Sequence, residues 1–343
     1  QLQLKQLQQQ KATSETFAEP LARRLIRKNS RLGVAEAYTF PNSVPLGTGT
    51  FGVVFLAKHN RTGIERAIKR IDKQLVPDPQ MLSREVEALK LMDHPHVCRL
   101  VEYFETSQHM WLVTELCRGE ELCDRLLNMP SGLAEAEVAR LTEQMLQATS
   151  HVHQRSVLHR DLKPENFLFV GGRDGQRDDL KLIDFGTSSS SRSTATVGTL
   201  MYMSPQQLRG EPASRSDDVW SLGVIVHILL TGQFPFSTND DRRFQEMSDR
   251  GLLQKDVQEH LAALRGSPQA VDFVQKLLAW ESEERISVED ALQHPFLSNC
   301  ALSPQEVPLS AEDVYQRCAR FSASCRLRRI VMAAWWHLRL FLC

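Results

Sequence analysis

Three polar side chains stand at fixed spacing inside the segment VLHRDLKPENFLFV, which runs from Val157 to Val170 between two apolar ends. Asp161 and Asn166 are five residues apart, so on a loop held by those ends the carboxylate can accept a hydroxyl proton while the amide oxygen binds Mg²⁺. Lys163 follows the carboxylate by two residues, where an ammonium can offset the charge of a phosphoryl group. The spacing predicts a rigid loop that handles a metal ion and an anionic group.

A further carboxylate and a glycine-rich turn extend this pattern. Asp184 in LIDFG follows a short predicted strand, and its carboxylate is a hard ligand suited to Mg²⁺. Upstream, LGTGTFGVVFLAKH places Gly47, Gly49 and Gly52 in the spacing G-x-G-x-x-G. Because strand-type residues and not a helix follow the last glycine, we expect a hairpin that can fold over phosphates. On its own, this spacing also fits an ordinary glycine turn.

A lysine and a glutamate on the next two predicted elements complete the set. Lys69 in RAIK falls on the following strand, where its ammonium can contact the α- and β-phosphates of a nucleotide. Glu85 falls on the helix after that strand and is available to pair with Lys69. Either residue alone would be an ordinary surface charge. Their order and separation predict a phosphate-binding site.

The elements that must position these groups differ on the two sides of Glu120. Before it, short β-type runs and one helical stretch, PQMLSREVEALKLMD, predict a small antiparallel sheet with one helix. After it, the sequence is mainly helical. The predicted fold class is α+β, with a small β-rich N-lobe, a larger mainly α-helical C-lobe and a ligand cleft between them.

We expect four segments along the chain. They are a Gln-rich and then basic extension (1–36), the N-lobe with its hinge (37–119), the C-lobe (120–297), and a linker with a basic amphipathic helix (298–343).

Composition is typical of an ordinary globular protein. The 343 residues are 42% hydrophobic, enough for one or two cores, and the 7 cysteines lack metal-ligand spacing. A reducing, cytoplasmic compartment is therefore expected. The polar opening QLQLKQLQQQ has no secretory signal, and the longest apolar runs fall short of the roughly 20 residues of a membrane helix. Because the sequence starts without Met, membrane anchoring through a native N-terminus stays open.

The net charge of −1 conceals an uneven distribution. Residues 1–36 carry 7 basic against 3 acidic side chains, residues 37–313 carry 28 against 39, and residues 314–343 carry 6 against none. An acidic body disfavours nucleic acid as a partner and favours basic peptides, including the chain's own C-terminal segment.

From about Tyr38 to Leu297 the chain resembles the eukaryotic protein kinases, because the glycine-rich loop, AIK, HRDLKPEN, DFG and DVWSLG occur in that family's order. The resemblance implies a bilobal kinase fold and transfer of the γ-phosphoryl of ATP with Mg²⁺. It also implies an anchoring role for Asp218. The catalytic residues it implies are Asp161 as the base, Lys163, Lys69 and Glu85, and the metal ligands are Asn166 and Asp184.

The same resemblance implies a set of nucleotide-binding residues. Val54 and Ala67 would close over the adenine ring, and Thr114 matches the gatekeeper position. The backbone of Glu115 and Cys117 matches the hinge groups that hydrogen-bond adenine. The full implied set is Leu46, Gly47, Gly49, Gly52, Val54, Ala67, Lys69, Thr114, Glu115, Cys117, Glu121, Asn166 and Asp184.

Several details resemble particular branches of that family. Lys163, with Thr199 in VGT, resembles the serine/threonine branch, so the substrates are expected to be proteins with an aliphatic hydroxyl acceptor. Glu121 and Glu165 match positions that meet an arginine upstream of the acceptor; ordinary solvated carboxylates are the alternative. LVTELCRGEELCDRL and EERISVEDALQHPFL look most like the calmodulin-dependent and calcium-dependent kinases.

The C-terminal segment 314–343 has a basic amphipathic pattern. It suits capture by calmodulin or a calmodulin-like EF-hand domain, and it resembles the autoinhibitory junction of plant and apicomplexan calcium-dependent kinases. No EF-hand calcium loop occurs in the sequence. A helix that only packs on the C-lobe is the alternative. The apolar stripe consists of Leu327, Ile330, Val331, Ala334, Leu338 and Phe341.

The sequence also departs from the kinase pattern. Gln206 replaces the glutamate of Ala-Pro-Glu, so the expected partner Arg285 gains a hydrogen bond but no opposite charge. Glu120 replaces the second glycine of GGEL, and Ala195 occupies a usual phosphothreonine position. Activation through other residues of TSSSSRSTATVGT without calcium is therefore one alternative, and a kinase-fold scaffold without catalysis is another.

Overall fold

The computed structural model separates the chain into two compact units, a small unit up to Cys117 and a large unit from Arg118. The structure describes residues 27–29, 33–41, 44–49, 52–76, 78–128, 133–171, 179–184, 200–238 and 241–299.

The small unit is built on one sheet with the order β1-β6-β7-β5-β4-β2, in which β3 also pairs with β4. All of its pairings are antiparallel except β1 with β6, which is parallel. Tyr38, Ala57, Ile68, Phe104 and Val113 form a buried cluster on this sheet. The strands are β1 Arg27–Asn29, β2 Tyr38–Thr39, β3 Gly47–Gly49, β4 Gly52–His59, β5 Glu65–Asp72, β6 Leu100–Glu105 and β7 His109–Thr114.

Helices α1 (Val34–Ala37) and α2 (Pro79–Lys90) accompany the sheet. Helix α2 begins at a strong start signal, because the Asp78 side chain accepts a hydrogen bond from the Gln80 backbone N–H and a proline occupies the first turn. Its buried face includes Val86 and Leu89, and Glu85 lies on the same buried side.

The large unit is mainly helical and contains one small hairpin, β8 (Phe167–Phe169) with β9 (Leu180–Leu182). Short 3₁₀ turns cover Pro164–Asn166 and Leu200–Tyr202. The helices are α3 Leu122–Asn128, α4 Glu135–Gln154, α5 Pro205–Leu208, α6 Arg215–Thr231, α7 Asp241–Asp249, α8 Leu253–Ala263, α9 Pro268–Leu277, α10 Val288–Ala291 and α11 Pro295–Asn299.

Helix α6 is the centre of the large unit and packs on α4 and α9. Every residue from Asp217 to Leu229 is buried, as expected of a helix enclosed by its neighbours. Gly223 allows the close approach of α9, because a Cβ there would lie 2.8 Å from the Leu278 side chain. The helix ends at Gly232, whose φ of +68° is the left-handed conformation that favours glycine.

The α+β prediction, with a β-rich unit followed by a mainly helical one, is confirmed. Strand β1 was not predicted, because its residues fall in the segment assigned to the N-terminal extension. Helix α8 lies in the stretch predicted to be mainly helical, and its Leu253, Val257 and Leu261 repeat every four residues and are buried. Across the described ranges, no helix combines the length and apolar character needed to cross a membrane.

Candidate active site

The predicted glycine-rich hairpin is formed by β3 and β4, with Gly49 opposite Gly52. The Leu46 backbone N–H donates to the carbonyl oxygen of Val54 at 2.8 Å and closes the base of the hairpin. A Cβ on Gly52 would overlap the backbone carbonyl of Arg70 on β5, whereas one on Gly47 would meet nothing within 4 Å. Glycine at 52 is therefore required by strand packing.

Lys69 and Glu85 form the predicted ion pair. In the sheet Lys69 stands opposite Val54, and its Nζ lies 3.4 Å from Oε1 of Glu85 on α2. The two side chains are 16% and 4% exposed, so the pair is screened from water far more than a surface pair. The lysine ammonium is thereby held at one position on β5.

The residues expected to hold adenine lie where β5 and β7 pair. Ala67 is opposite Thr114, whose Oγ1 donates to the Ala67 carbonyl at 3.4 Å. Glu115 follows β7, and its backbone N–H donates to the Arg99 carbonyl at 3.1 Å while its Oε1 accepts from the Arg99 N–H at 2.8 Å. These bonds fix the start of the segment that carries Cys117.

One of the expected adenine-site residues is not buried, and another has its carbonyl oxygen in contact with a cysteine. Leu46 is 54% exposed. The carbonyl oxygen of Glu115 accepts a weak hydrogen bond from the Cys98 thiol at 3.8 Å. Nothing in the sequence pattern pointed to Cys98, because a thiol at the end of a loop carries no spacing signal.

In the large unit, Asp161, Lys163 and Asn166 are brought together as predicted. Asp161 Oδ2 lies 2.8 Å from Lys163 Nζ, and Asn166 Nδ2 donates to the Asp161 carbonyl at 2.7 Å. Asp161 is 8% exposed, and its second oxygen, Oδ1, is buried with no hydrogen-bond partner among the described residues. A buried carboxylate oxygen without a donor is suited to accept one from a bound hydroxyl.

The charge of Lys163 is stabilised by its neighbours. Burial by itself lowers the pKa of this lysine, but the carboxylates of Asp161 and Glu165 outweigh burial and raise it. Lys163 is therefore a fixed positive charge beside Asp161 at neutral pH.

Asp218, at the start of α6, holds the backbone just before Asp161. Its oxygens accept from the N–H of His159 at 3.0 Å and of Arg160 at 2.8 Å, and His153 Nε2 lies 2.7 Å away. These bonds hold Arg160 at a φ of +66°, a conformation that non-glycine residues rarely adopt. Burial lowers the pKa of the imidazole of His159, so it stays neutral at physiological pH.

The two expected magnesium ligands are linked through the β8–β9 hairpin. Asn166 precedes β8 and Asp184 follows β9, and the backbone N–H of Ile183 donates to the Asn166 carbonyl at 2.8 Å. Asp184 has a φ of +60°. An amide and a carboxylate oxygen are the hard donors that Mg²⁺ prefers, so the donor set fits this ion.

Glu121 and Glu165 both flank β8. Glu121 forms an isolated antiparallel bridge with Leu168, and Glu165 lies in the 3₁₀ turn that leads into the strand. The neighbouring Glu120, which replaces a glycine of the kinase pattern, binds Arg125 with its Oε1 3.0 Å from Nε. The glutamate that replaces this glycine is therefore paired with Arg125.

Gln206 binds Arg285 as expected. Its Oε1 accepts from Arg285 Nη2 at 3.0 Å, while its Nε2 donates to the Trp280 carbonyl at 2.9 Å. Burial lowers the pKa of Arg285 to about 10, because most of the oxygens that bind this guanidinium are neutral and do not offset the loss of water. Thr199, the hydroxyl-rich segment before it and residues 314–343 lie outside the described residues.

Comparison with known proteins identifies the family. Residues 40–297 match the family model described as "Protein kinase domain". The chain is 36% identical over 259 residues to calcium-dependent protein kinase 4 of Plasmodium berghei, covering 74% of this chain and 48% of that protein. It is 37% identical over 253 residues to calcium-dependent protein kinase 5 of Plasmodium falciparum, covering 73% and 43%.

A third relative is covered over most of its length. The chain is 33% identical over 274 residues to calcium/calmodulin-dependent protein kinase type 1 of Macrobrachium nipponense, covering 78% of this chain and 77% of that protein. By contrast, the chain spans less than half the length of the two Plasmodium proteins.

Proposed function

This chain belongs to the protein kinase domain family, and we propose that it is an active serine/threonine kinase that transfers the γ-phosphoryl of ATP to protein substrates. The observation that carries the proposal is the buried, unpartnered Oδ1 of Asp161 beside a fixed lysine ammonium. A kinase-shaped scaffold has no need to bury a carboxylate in this way, since the orphaned oxygen costs stability.

In the proposed reaction Asp161 orients the acceptor hydroxyl and takes its proton through Oδ1. Lys163 offsets negative charge on the group being transferred, and Lys69, held by Glu85, binds the α- and β-phosphates. Asn166 and Asp184 would hold magnesium, which when bound with ATP neutralises charge on the phosphate oxygens. The backbone of Glu115 and Cys117 would position adenine.

The test uses Asp161→Asn and Lys69→Met in the full chain, with Lys255→Met as the control because that lysine is 80% exposed. We expect a loss of about 10²-fold or more in radiolabel transfer from ATP to a mixed peptide library for the first two variants, and none for the control. Transfer near wild-type levels by either site variant refutes the assignment. Binding of Mg-ATP without turnover by the wild type would favour the scaffold.

The acidic flank of β8 supports a second element of the proposal, a preference for a basic residue upstream of the acceptor. Glu121 pairs with Leu168 of β8 and Glu165 lies in the turn before that strand, in a body with more acidic than basic side chains. Paired peptides with arginine or alanine three residues before the serine measure this. Glu121→Gln should reduce the preference for the arginine peptide, while Glu259→Gln, 65% exposed, should not. An unchanged ratio would argue for a solvated carboxylate at 121.

Regulation through residues 314–343 is proposed from the basic amphipathic sequence and from the names of the relatives, which include calcium-dependent and calcium/calmodulin-dependent kinases. Deleting 314–343 should raise basal activity if the segment inhibits, and calcium with calmodulin should activate only the full chain. Equal activity of both proteins under all conditions would favour activation through the hydroxyl-rich residues 187–199 without calcium.

A further inference from the structure

Two cysteines meet at the segment proposed to contact adenine. Cys98 lies just before β6, and Cys117 lies three residues after β7. These two strands pair with each other as far as Leu100 and Thr114. The backbone bond from Glu115 N–H to the Arg99 carbonyl continues that pairing, so the two segments leave the sheet side by side.

The Cys98 thiol is in direct contact with this segment. It donates to the Glu115 carbonyl oxygen at 3.8 Å, and the Cys117 side chain is the neighbour that most strongly raises its pKa. Cys98 is 7% exposed, whereas Cys117 is half-buried and accessible to small oxidants. The Cys117 side chain, with burial, raises the pKa of the Cys98 thiol well above its usual range, so Cys98 stays protonated and acts as a donor.

We propose that Cys98 and Cys117 form a reversible disulfide that inhibits nucleotide binding when the protein meets hydrogen peroxide. The inhibitory effect rests on the proposed adenine-binding role of the Glu115–Cys117 backbone, whereas bond formation does not. Disulfides in reducing compartments are mostly transient and regulatory, which fits a pair at a functional segment.

The chemistry balances in two steps. The Cys117 thiolate attacks one oxygen of hydrogen peroxide, the O–O bond breaks, and Cys117 sulfenic acid forms with hydroxide as the leaving group. The Cys98 sulfur then attacks the sulfenic sulfur, an S–S bond forms and the S–O bond breaks. The hydroxide released in each step leaves as water with a thiol proton, so two thiols and one peroxide yield one disulfide and two waters.

The disulfide changes the contacts that position the segment. The S–S bond closes to about 2 Å, and this covalent link ties the backbone at Cys117 to the end of the loop before β6. Both backbone groups proposed to bind adenine are thereby displaced. We expect a loss of about 10-fold to 100-fold in kcat/KM for ATP, the range that small misplacements of a binding group produce.

The sequence makes the bond easy to detect. Trypsin cleaves after Lys90, Arg99, Arg118 and Arg125, so Cys98, Cys117 and Cys123 fall on separate peptides. The reduced full chain is treated with hydrogen peroxide, blocked with N-ethylmaleimide and digested. Peptides 91–99 and 100–118 should be joined, with two hydrogens lost, in proportion to the loss of activity. Dithiothreitol should reverse both, and a non-hydrolysable ATP analogue with Mg²⁺ should slow the cross-link.

The matched variants are Cys98→Ala and Cys123→Ala. Cys123 is equally buried but lies on α3 of the large unit. Cys98→Ala should retain basal activity under reducing conditions and lose both the cross-link and the reversible inhibition, whereas Cys123→Ala should behave as wild type. The proposal is wrong if the joined peptides do not form, or if Cys98→Ala is inhibited reversibly like the wild type. A reduced chain without any phosphoryl transfer would instead overturn the proposed function, because the mass measurement scores the disulfide independently.

Discussion

Replacing Asp218 with asparagine should destabilise the large unit far more than removing a comparable surface carboxylate. Asp218 is about 1% exposed and accepts from two backbone N–H groups in addition to contacting His153. An asparagine of the same shape replaces one acceptor oxygen with an NH₂ group, which then faces a backbone N–H or the His153 side chain. Removing one member of a buried charged pair lowers the unfolding free energy by about 3–5 kcal/mol.

The matched control is Asp272→Asn. Asp272 also binds a histidine and a lysine, with Oδ2 2.9 Å from His294 Nε2 and 2.8 Å from Lys276 Nζ, but it is 51% exposed. Exposed pairs contribute about 0–1 kcal/mol. Calorimetric unfolding at pH 7 should therefore lower the melting temperature by about 10 °C for Asp218→Asn, and by a few degrees at most for the control.

The pH dependence supplies a second readout. Burial by itself raises the pKa of Asp218, but the hydrogen bond and charge of His153, with the Arg160 N–H, outweigh it and lower the pKa below 3.8. A depressed folded-state pKa contributes stability that is present above the unfolded value and is lost as pH falls below it. The wild type should lose this contribution below about pH 4, and Asp218→Asn should lack it throughout. Equal losses for the two variants at pH 7 would refute the reasoning.

Two further predictions concern backbone packing at Gly52 and the hydrogen bond between Gln206 and Arg285. Gly52→Ala should destabilise the small unit in chemical denaturation by about 1–3 kcal/mol, because its Cβ would overlap the Arg70 carbonyl. The control Gly47→Ala should cost about 1 kcal/mol or less. Equal costs for the two variants would contradict this packing. Gln206→Ala should lower the unfolding free energy by about 2–3 kcal/mol in thermal unfolding, since it removes the amide oxygen that binds the buried guanidinium of Arg285. An unchanged melting temperature would show that the backbone carbonyls alone hold this guanidinium.

The groups that the sequence predicted correctly are those whose geometry is local or follows from one element pairing. Asp161, Lys163 and Asn166 lie within six residues, so any tight loop brings them together. Lys69 and Glu85 are 16 residues apart, yet a strand followed by a helix that buries Glu85 leaves few other arrangements. Chemistry and spacing were sufficient because the intervening chain is short and regular.

The features that the sequence did not predict depend on partners far along the chain. Strand β1 has the sequence Arg-Lys-Asn, without the alternation that marks a strand, and it exists because the edge of β6 offers unpaired backbone groups. The contact between Cys98 and Cys117 arises only once β6 and β7 are in register. Neither cysteine has a spacing that indicates a site. A thiol pair created by strand register becomes visible only in the fold, and the segment it constrains is the one whose backbone the kinase pattern assigns to adenine.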